Sequence, residues 1–249
     1  MWKVPAIWEG GTCFILGGGL SSPRVFGVPE ALISRVCNRE ERPEAYSWFY
    51  KPIHDRHVIG INNAYQLGNW IDILFFGDRT WFDTHKAALR NYKGLLVSCG
   101  PDFGDPKNAD EARVKYVKKS EDIGKRPGAK KEFGLTLAKR KVGWNYNSGA
   151  AAINLAVHFG AVKIVLVGFD MQPGRIAGKD GDVTHWHGAH YEKHKVDADK
   201  IRPPFHRHSS CFPAIKKDAE AIGVTIYNMS PDSAIDCFPK ITLEEALKL

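Results

Sequence analysis

The sequence predicts an α/β fold of Rossmann-like type, with a doubly wound and mostly parallel sheet. Three observations carry this. Short apolar runs rich in β-branched residues alternate with helical patterns along the 249 residues. Each run ends in glycine or small polar residues. Two long stretches, about 102–142 and 171–209, interrupt the alternation directly after runs of this kind, as lids and binding loops do. The whole chain, 1–249, is therefore read as a single Rossmann-like domain with two lid-like insertions.

The elements follow in order. Thr12 to Leu16 is a short apolar strand that runs into Gly17-Gly18-Gly19-Leu20-Ser21-Ser22. Glycines there let a backbone approach a ligand closely and expose its N–H groups. The loop is not the dinucleotide fingerprint, because Ser22 stands where the third glycine of G-x-G-x-x-G would fall. It is not a P-loop either, since no Gly-Lys-Ser/Thr follows. Gly27 to Arg56 is irregular, with one helix over Ala31 to Val36. Val58 to Ile61 is the second strand, ending in Asn62-Asn63, and Ile71 to Phe76 is the third, ending in Gly77-Asp78. A helix over Trp81 to Asn91 leads to a fourth strand, Leu95 to Val97. Asp102 to Val142 then carries eleven Lys and Arg between Arg113 and Lys141 with little apolar periodicity, and is expected on the surface.

Asn147 to Asp170 is the best-defined stretch. Asn147 and Ser148 are N-capping residues, Ala150 to Phe159 is almost wholly apolar, and Gly160 suits the left-handed position that ends a helix. Lys163 to Val167 is a strand of buried parallel type, with Gly168-Phe169-Asp170 past its end. Ligands of open α/β sheets bind outside that end. The Ser148-Gly149 pair at a helix N-terminus suits a phosphate. A helix over Phe212 to Ile222, a strand over Val224 to Tyr227 and Ser230-Pro231-Asp232-Ser233 follow. Thr242 and Glu245 form a capping box for the last helix. Right-handed crossovers would place all the strand ends on one edge.

Composition bounds the function classes. No apolar run approaches the roughly 20 residues of a membrane span, and the first residues lack a signal-peptide pattern, so a cytoplasmic location is expected. Five scattered cysteines without a CxxC fit reduced thiols rather than a disulfide frame or a thiolate zinc site. A net charge of +7 admits nucleic acid or another anion as partner, or simply a solvated basic surface. Asp78 and Asp170 suit a ribose, a base edge or a metal, and equally suit capping of the next helix. His185, His187, His190, His194, His206 and His208 crowd the second insertion, but no His-Glu-x-x-His is present and their spacing names no metal site.

In this order the motifs resemble those of the bacterial sialyltransferases of glycosyltransferase family 42. Beyond them lies a looser Rossmann-like group that includes archaeal hydroxymethylpterin diphosphokinases and proteins of phages and prophages. Gly17-Gly18-Gly19-Leu20-Ser21 is similar to the family's opening loop, with Gly18 where that family usually has asparagine. Asn62 matches an asparagine after the second strand, and Asp78 takes the place of another. Asn147-Ser148-Gly149, Gly168-Phe169-Asp170 and Ser230-Pro231-Asp232-Ser233 are similar to Thr-Ser-Gly, Gly-Ile-Asp and Cys-Pro-Asn-Ser. His185 to His190 looks like His-Tyr-x-Gly-His displaced by one residue.

The resemblance implies a crevice that binds a nucleotide or nucleotide-sugar donor as substrate, with no tightly bound cofactor. Gly17, Gly18, Gly19, Ser21, Asn62, Asn63, Asp78, Asn147, Ser148, Gly149, Asp170 and Ser230 would line it. A histidine would take the proton of a hydroxyl acceptor. His190, which follows the small Gly188-Ala189 pair, is favoured over His187. An anionic acceptor would suit the basic insertion. Two other classes stay open. One is a magnesium-dependent pyrophosphate-transferring kinase using Asp78 and Asp170. The other is a non-catalytic nucleic-acid or virion-associated module carried by the basic insertion.

Overall fold

The computed structural model describes residues 1–125, 127–176, 181–188 and 205–249. Its centre is a parallel sheet whose strands are β1 (Thr12–Leu16), β2 (His57–Ile61), β3 (Ile73–Phe76), β4 (Leu95–Ser98), β5 (Val114–Tyr116), β8 (Lys163–Val167) and β9 (Thr225–Asn228). A separate two-stranded pair, β6 (Lys118–Lys119) and β7 (Lys141–Val142), lies outside it. The order across the main sheet is β5-β4-β3-β2-β1-β8-β9. The first five strands thus build outward from β1 in one direction, and the last two build in the other. β1 pairs with β2 from Cys13↔His57 to Leu16↔Gly60, and with β8 from Thr12↔Lys163 to Leu16↔Val167. Strand order reverses between β1 and β8, so the switch point of the sheet is there.

The apolar strands are buried because both faces are covered. Along β1, Cys13 and Ile15 join one core with Ile59, Phe75, Ile153, Phe159 and Leu166. Phe14 and Leu16 join the opposite core with Val58, Tyr46, Tyr50, Ile33 and Val165. This is the period-two alternation of a strand. The first core is roofed by α5 (Ser148–Phe159) and α7 (Phe212–Ala221), and the second by α2 (Glu30–Cys37) and a 3₁₀ run over Pro43–Ile53. Other helices are α1 (Ser21–Val25), α3 (Arg79–Leu89), α4 (Pro106–Glu111), α6 (Phe205–Ser209) and α8 (Leu243–Leu247). Among the described residues, no helix is long and apolar enough to cross a membrane.

Local chemistry sets the boundaries. Asn147 caps α5, its side chain accepting from the backbone N–H groups of Gly149 and Ala150, and Gly160 ends the helix at φ 98°. Thr242 and Glu245 make the expected capping box on α8. Helix α3 begins two residues before Trp81 because the Asp78 carboxylate accepts from Thr80 N–H at 2.8 Å. The segment 27–56 is more regular than its aromatic and charged composition predicts: Tyr46 and Tyr50 are buried and anchor the 3₁₀ run.

The basic segment 102–142 is not purely a surface feature. β5 completes the sheet edge beside β4, and Phe103, Val117, Leu135 and Val142 are buried. These apolar residues of the segment are too far apart in the sequence to show a period, yet they fill core positions, while Leu137 is left exposed. Five of its lysines are consumed by carboxylates: Lys118 and Lys141 by Glu121, Lys125 by Glu132, Lys130 by Asp122 and Lys131 by Asp218. Glu121, held by two lysines, is pulled down to about 2. All five cysteines are free thiols.

Candidate functional site

The loops after β1 and β8 meet at the switch point and are sewn together. Gly17 N–H donates to Val167 C=O at 2.8 Å, and Gly19 N–H donates to Gly168 C=O at 2.9 Å. Asp170 reaches across this seam. Its carboxylate accepts from Ser21 N–H at 3.0 Å and from the Ser21 hydroxyl. That hydroxyl also lies 2.7 Å from Ser230 Oγ, which in turn accepts from Phe169 N–H at 3.0 Å. Gly19 has no room for a side chain, since a Cβ there would lie 2.5 Å from Asp170 Cγ. Gly17, Gly18, Gly19, Ser21, Asp170 and Ser230 are thus brought together from the ends of β1, β8 and β9.

Two cations flank the carboxylate. Lys240 Nζ donates to the carbonyls of Ser230 and Ser233 at 3.0 and 3.1 Å. Burial pulls its ammonium below the ordinary range, while Asp170, Asp232 and Asp236 oppose that shift. Arg24 is raised chiefly by its bond to Glu30, with Asp170 contributing. Neither residue stands out in the sequence: Arg24 lies between Pro23 and Val25, and Lys240 between Pro239 and Ile241.

The segment around His185 closes over the glycine loop. Trp186 is buried; its indole N–H donates to Gly17 C=O at 2.9 Å and its backbone N–H to Gly18 C=O at 2.9 Å. Tyr46 O–H donates to Trp186 C=O at 3.3 Å. The ring of His185 fills the space above Gly18, where a Cβ would lie 2.5 Å from its Cδ2. His187 stands 5.1 Å from His185, centroid to centroid, and 4.9 Å from Trp186, edge on. Its Nδ1 is 3.3 Å from Asn63 Nδ2. In the sequence Trp186 stands between two histidines, and nothing local marks it as the anchor. His190 and His194 lie outside the described residues.

The remaining expected residues have other positions. Asn62 ends β2 in a left-handed conformation, φ 50°, and opens a 3₁₀ turn over Asn62–Leu67. Left-handed backbone recurs at Asn145, Tyr146 and Met171, which flank α5 and the β8 loop. Non-glycine residues held there cost energy, and such strain gathers at functional sites. Asn147 spends its side chain as the α5 cap, and its amide donates to His208 C=O at 3.1 Å. The first N–H groups of α5, including that of Gly149, are therefore already occupied, and Ser148 is half-buried beside them. Asp78 is exposed and serves as the α3 cap, and β2 and β1 stand between the strand it follows and β8, which Asp170 follows. Among the described residues, no cluster of three or more His, Cys, Asp or Glu stands where it could hold a metal ion. Hollows of about 400 and 320 Å³ lie elsewhere, by Arg90, Lys93 and Arg113 and between α3 and α4. The first is at the N-terminal edge of the sheet. It is far from the chemistry just described, because strand ends of a parallel sheet lie on the opposite edge.

No protein-family model matches this chain, and no curated protein does. Solved structures do resemble it. The MAf glycosyltransferase from Magnetospirillum magneticum AMB-1 aligns with 99% of this chain at a TM-score of 0.56 and 12% identity. The likeness is one of fold. This chain spans about a third of that protein, 35% of its length. Two structures of the sialyltransferase CstII from Campylobacter jejuni, with cytidine-5'-monophosphate and with CMP-3FNeuAc, align at TM-scores of 0.48 and 0.47. They are 12% and 11% identical over 93% of this chain, and 84% and 86% of theirs is covered.

Proposed function

We propose that this chain is a glycosyltransferase of sialyltransferase-like type, moving a sugar from a nucleotide-sugar donor to a hydroxyl acceptor. The observation that carries the reading is the seam. At the switch point of a parallel sheet, where such folds bind nucleotides, a glycine loop meets a carboxylate, two serine hydroxyls and the Lys240 ammonium. The fold likeness to a glycosyltransferase, and the family resemblance of the strand-end motifs, support the choice of reaction.

In this reading Lys240 offsets phosphate charge, and Ser21, Asp170 and Ser230 take the ribose or base. The acceptor's hydroxyl proton passes to His190 as the new glycosidic bond forms and the nucleotide leaves. Cytidine monophosphate sugars are the first donors to try, from the motif resemblance. Thermal unfolding with mono- and diphosphates of cytidine, uridine, guanosine and adenosine, and their sugars, tests the proposal. A ligand at about 100 times its Kd should raise Tm by about 5–10 °C. The reading fails if none of them raises Tm.

A further inference from the structure

Asn63, Trp81 and His187 form a directed chain of hydrogen bonds. Trp81 Nε1 is 2.7 Å from Asn63 Oδ1, and Asn63 Nδ2 is 3.3 Å from His187 Nδ1. An indole nitrogen can only donate. The Asn63 side chain must therefore turn its oxygen to Trp81, because the flipped amide would set two N–H groups against each other. Its NH₂ then faces His187, and an amide nitrogen also only donates. Nδ1 of His187 has to accept, which puts the ring proton on Nε2.

The chain is held from behind. Trp81 and Asn63 are both buried, so leaving the indole N–H or the amide unpaired would cost their desolvation. The Trp81 ring is fixed by His85 stacked at 4.6 Å, by Phe76 at 5.1 Å, and by Tyr65 edge on at 6.2 Å. His85 is in turn bonded through Nδ1 to Tyr65 Oη at 2.9 Å. Trp186, locked to the glycine loop, sets the plane of the His187 ring from the other side.

We infer that Asn63 and Trp81 are positioning residues that fix His187 as a neutral hydrogen-bond donor, and that His187 is not the general base. Nε2 already carries a proton, and Nδ1 is engaged by an amide. That His187 is not the base bears on the nucleotide-sugar reading; the tautomer itself does not depend on it. The acceptor's proton must go to another group.

The test reads the tautomer directly, without any nucleotide. The full chain is labelled with ¹⁵N-histidine, and a long-range ¹H–¹⁵N correlation spectrum is recorded at neutral pH. His187→Gln identifies the signal by its loss. The expected pattern is a bare Nδ1 and a protonated Nε2. Asn63→Asp should reverse it, because a carboxylate accepts from both neighbours and draws the proton onto Nδ1. A wild-type His187 protonated at Nδ1, or at both nitrogens, overturns the inference. So does an Asn63→Asp protein, folded by its remaining amide dispersion, whose His187 pattern is unchanged. If that variant does not fold, the wild-type spectrum alone decides. Failure of the nucleotide panel would leave this result standing, so the two proposals fail separately.

Discussion

The β1–β8 seam and the β4–β5 wing make opposite use of their residues. The wing holds two surface hollows lined by cations, including Arg90, Lys93 and Arg113. It is built from consecutive strands, and Lys118, Lys130 and Arg113 nearby are tied to Glu121, Asp122 and Tyr92 C=O. The seam gathers Ser21, Asp170 and Ser230 from positions 149 and 209 residues apart in the chain. Convergence of distant polar groups on a switch point marks the candidate site better than concavity or positive charge does. Charge speaks to solubility and encounter more than to where chemistry occurs.

The two strand-end aspartates allow that contrast to be broken most sharply. Asp170→Ala removes the acceptor for Ser21 and should cost about 2–3 kcal/mol, the scale of hydrogen bonds to a charged group. It should also abolish the nucleotide-induced rise in Tm. Asp78→Ala removes an exposed helix cap and should cost about 1 kcal/mol, with the nucleotide response intact. Urea unfolding and thermal shift measure both. Equal effects of the two variants on nucleotide binding would erase the distinction between seam and wing.

A smaller effect on stability, with a larger one on ligand, is expected at Gly18. Gly18→Val drives a side chain into the ring of His185. The ring can swing aside, so the loss should stay near the lower end of the about 1–3 kcal/mol typical of overpacking. Nucleotide affinity, measured by titration calorimetry, should fall at least about tenfold, equivalent to about 1.4 kcal/mol. Unchanged affinity would separate His185 from the site.

The smallest effect lies away from both regions. His158 is buried in α5 and bonded through Nε2 to Lys141 C=O at 2.7 Å. Burial lowers its pKa below the ordinary 6.5. The unfolded chain therefore binds more protons below pH 6.5 than the folded one, so stability present above that pH is lost as pH falls toward the folded value. His158→Gln keeps a donor for Lys141 C=O and cannot titrate. Its stability between pH 7 and 5 should fall less steeply than that of the parent. A residual slope should remain, since burial lowers His54 and His208 too. An identical slope in the two proteins would rule out His158 as a contributor.

Much of the sheet was legible because its strands are short apolar blocks bounded by glycine and asparagine. Asn147 and Gly160 announced α5, since capping is a local property of one or two residues. β5 was not legible: Val-Lys-Tyr is three residues long among lysines, and only its neighbour β4 makes it a strand. The seam was partly legible, because Gly17–Gly19 and Asp170 follow strands. Nothing local separated Asp170 from Asp78, which also follows a strand and a glycine. The difference is where the next segment goes. β3 feeds directly into α3, which claims Asp78, while the β8 loop crosses to β1. The Trp81–Asn63–His187 chain joins three segments and has no linear signature at all.

The position of β1 has a further consequence for how the chain is made. It is the first strand in the sequence, yet one of its two edges is filled only by β8, about 150 residues later. A nascent chain that has emerged through β5 holds four strands beside β1 and an open row of backbone N–H and C=O groups along Thr12–Leu16. Such an apolar edge pairs with whatever strand arrives first, including one from a neighbouring chain. The sheet is complete at β1 only once Lys163–Val167 is in place. Truncations that stop before β8 should aggregate rather than yield a small stable domain.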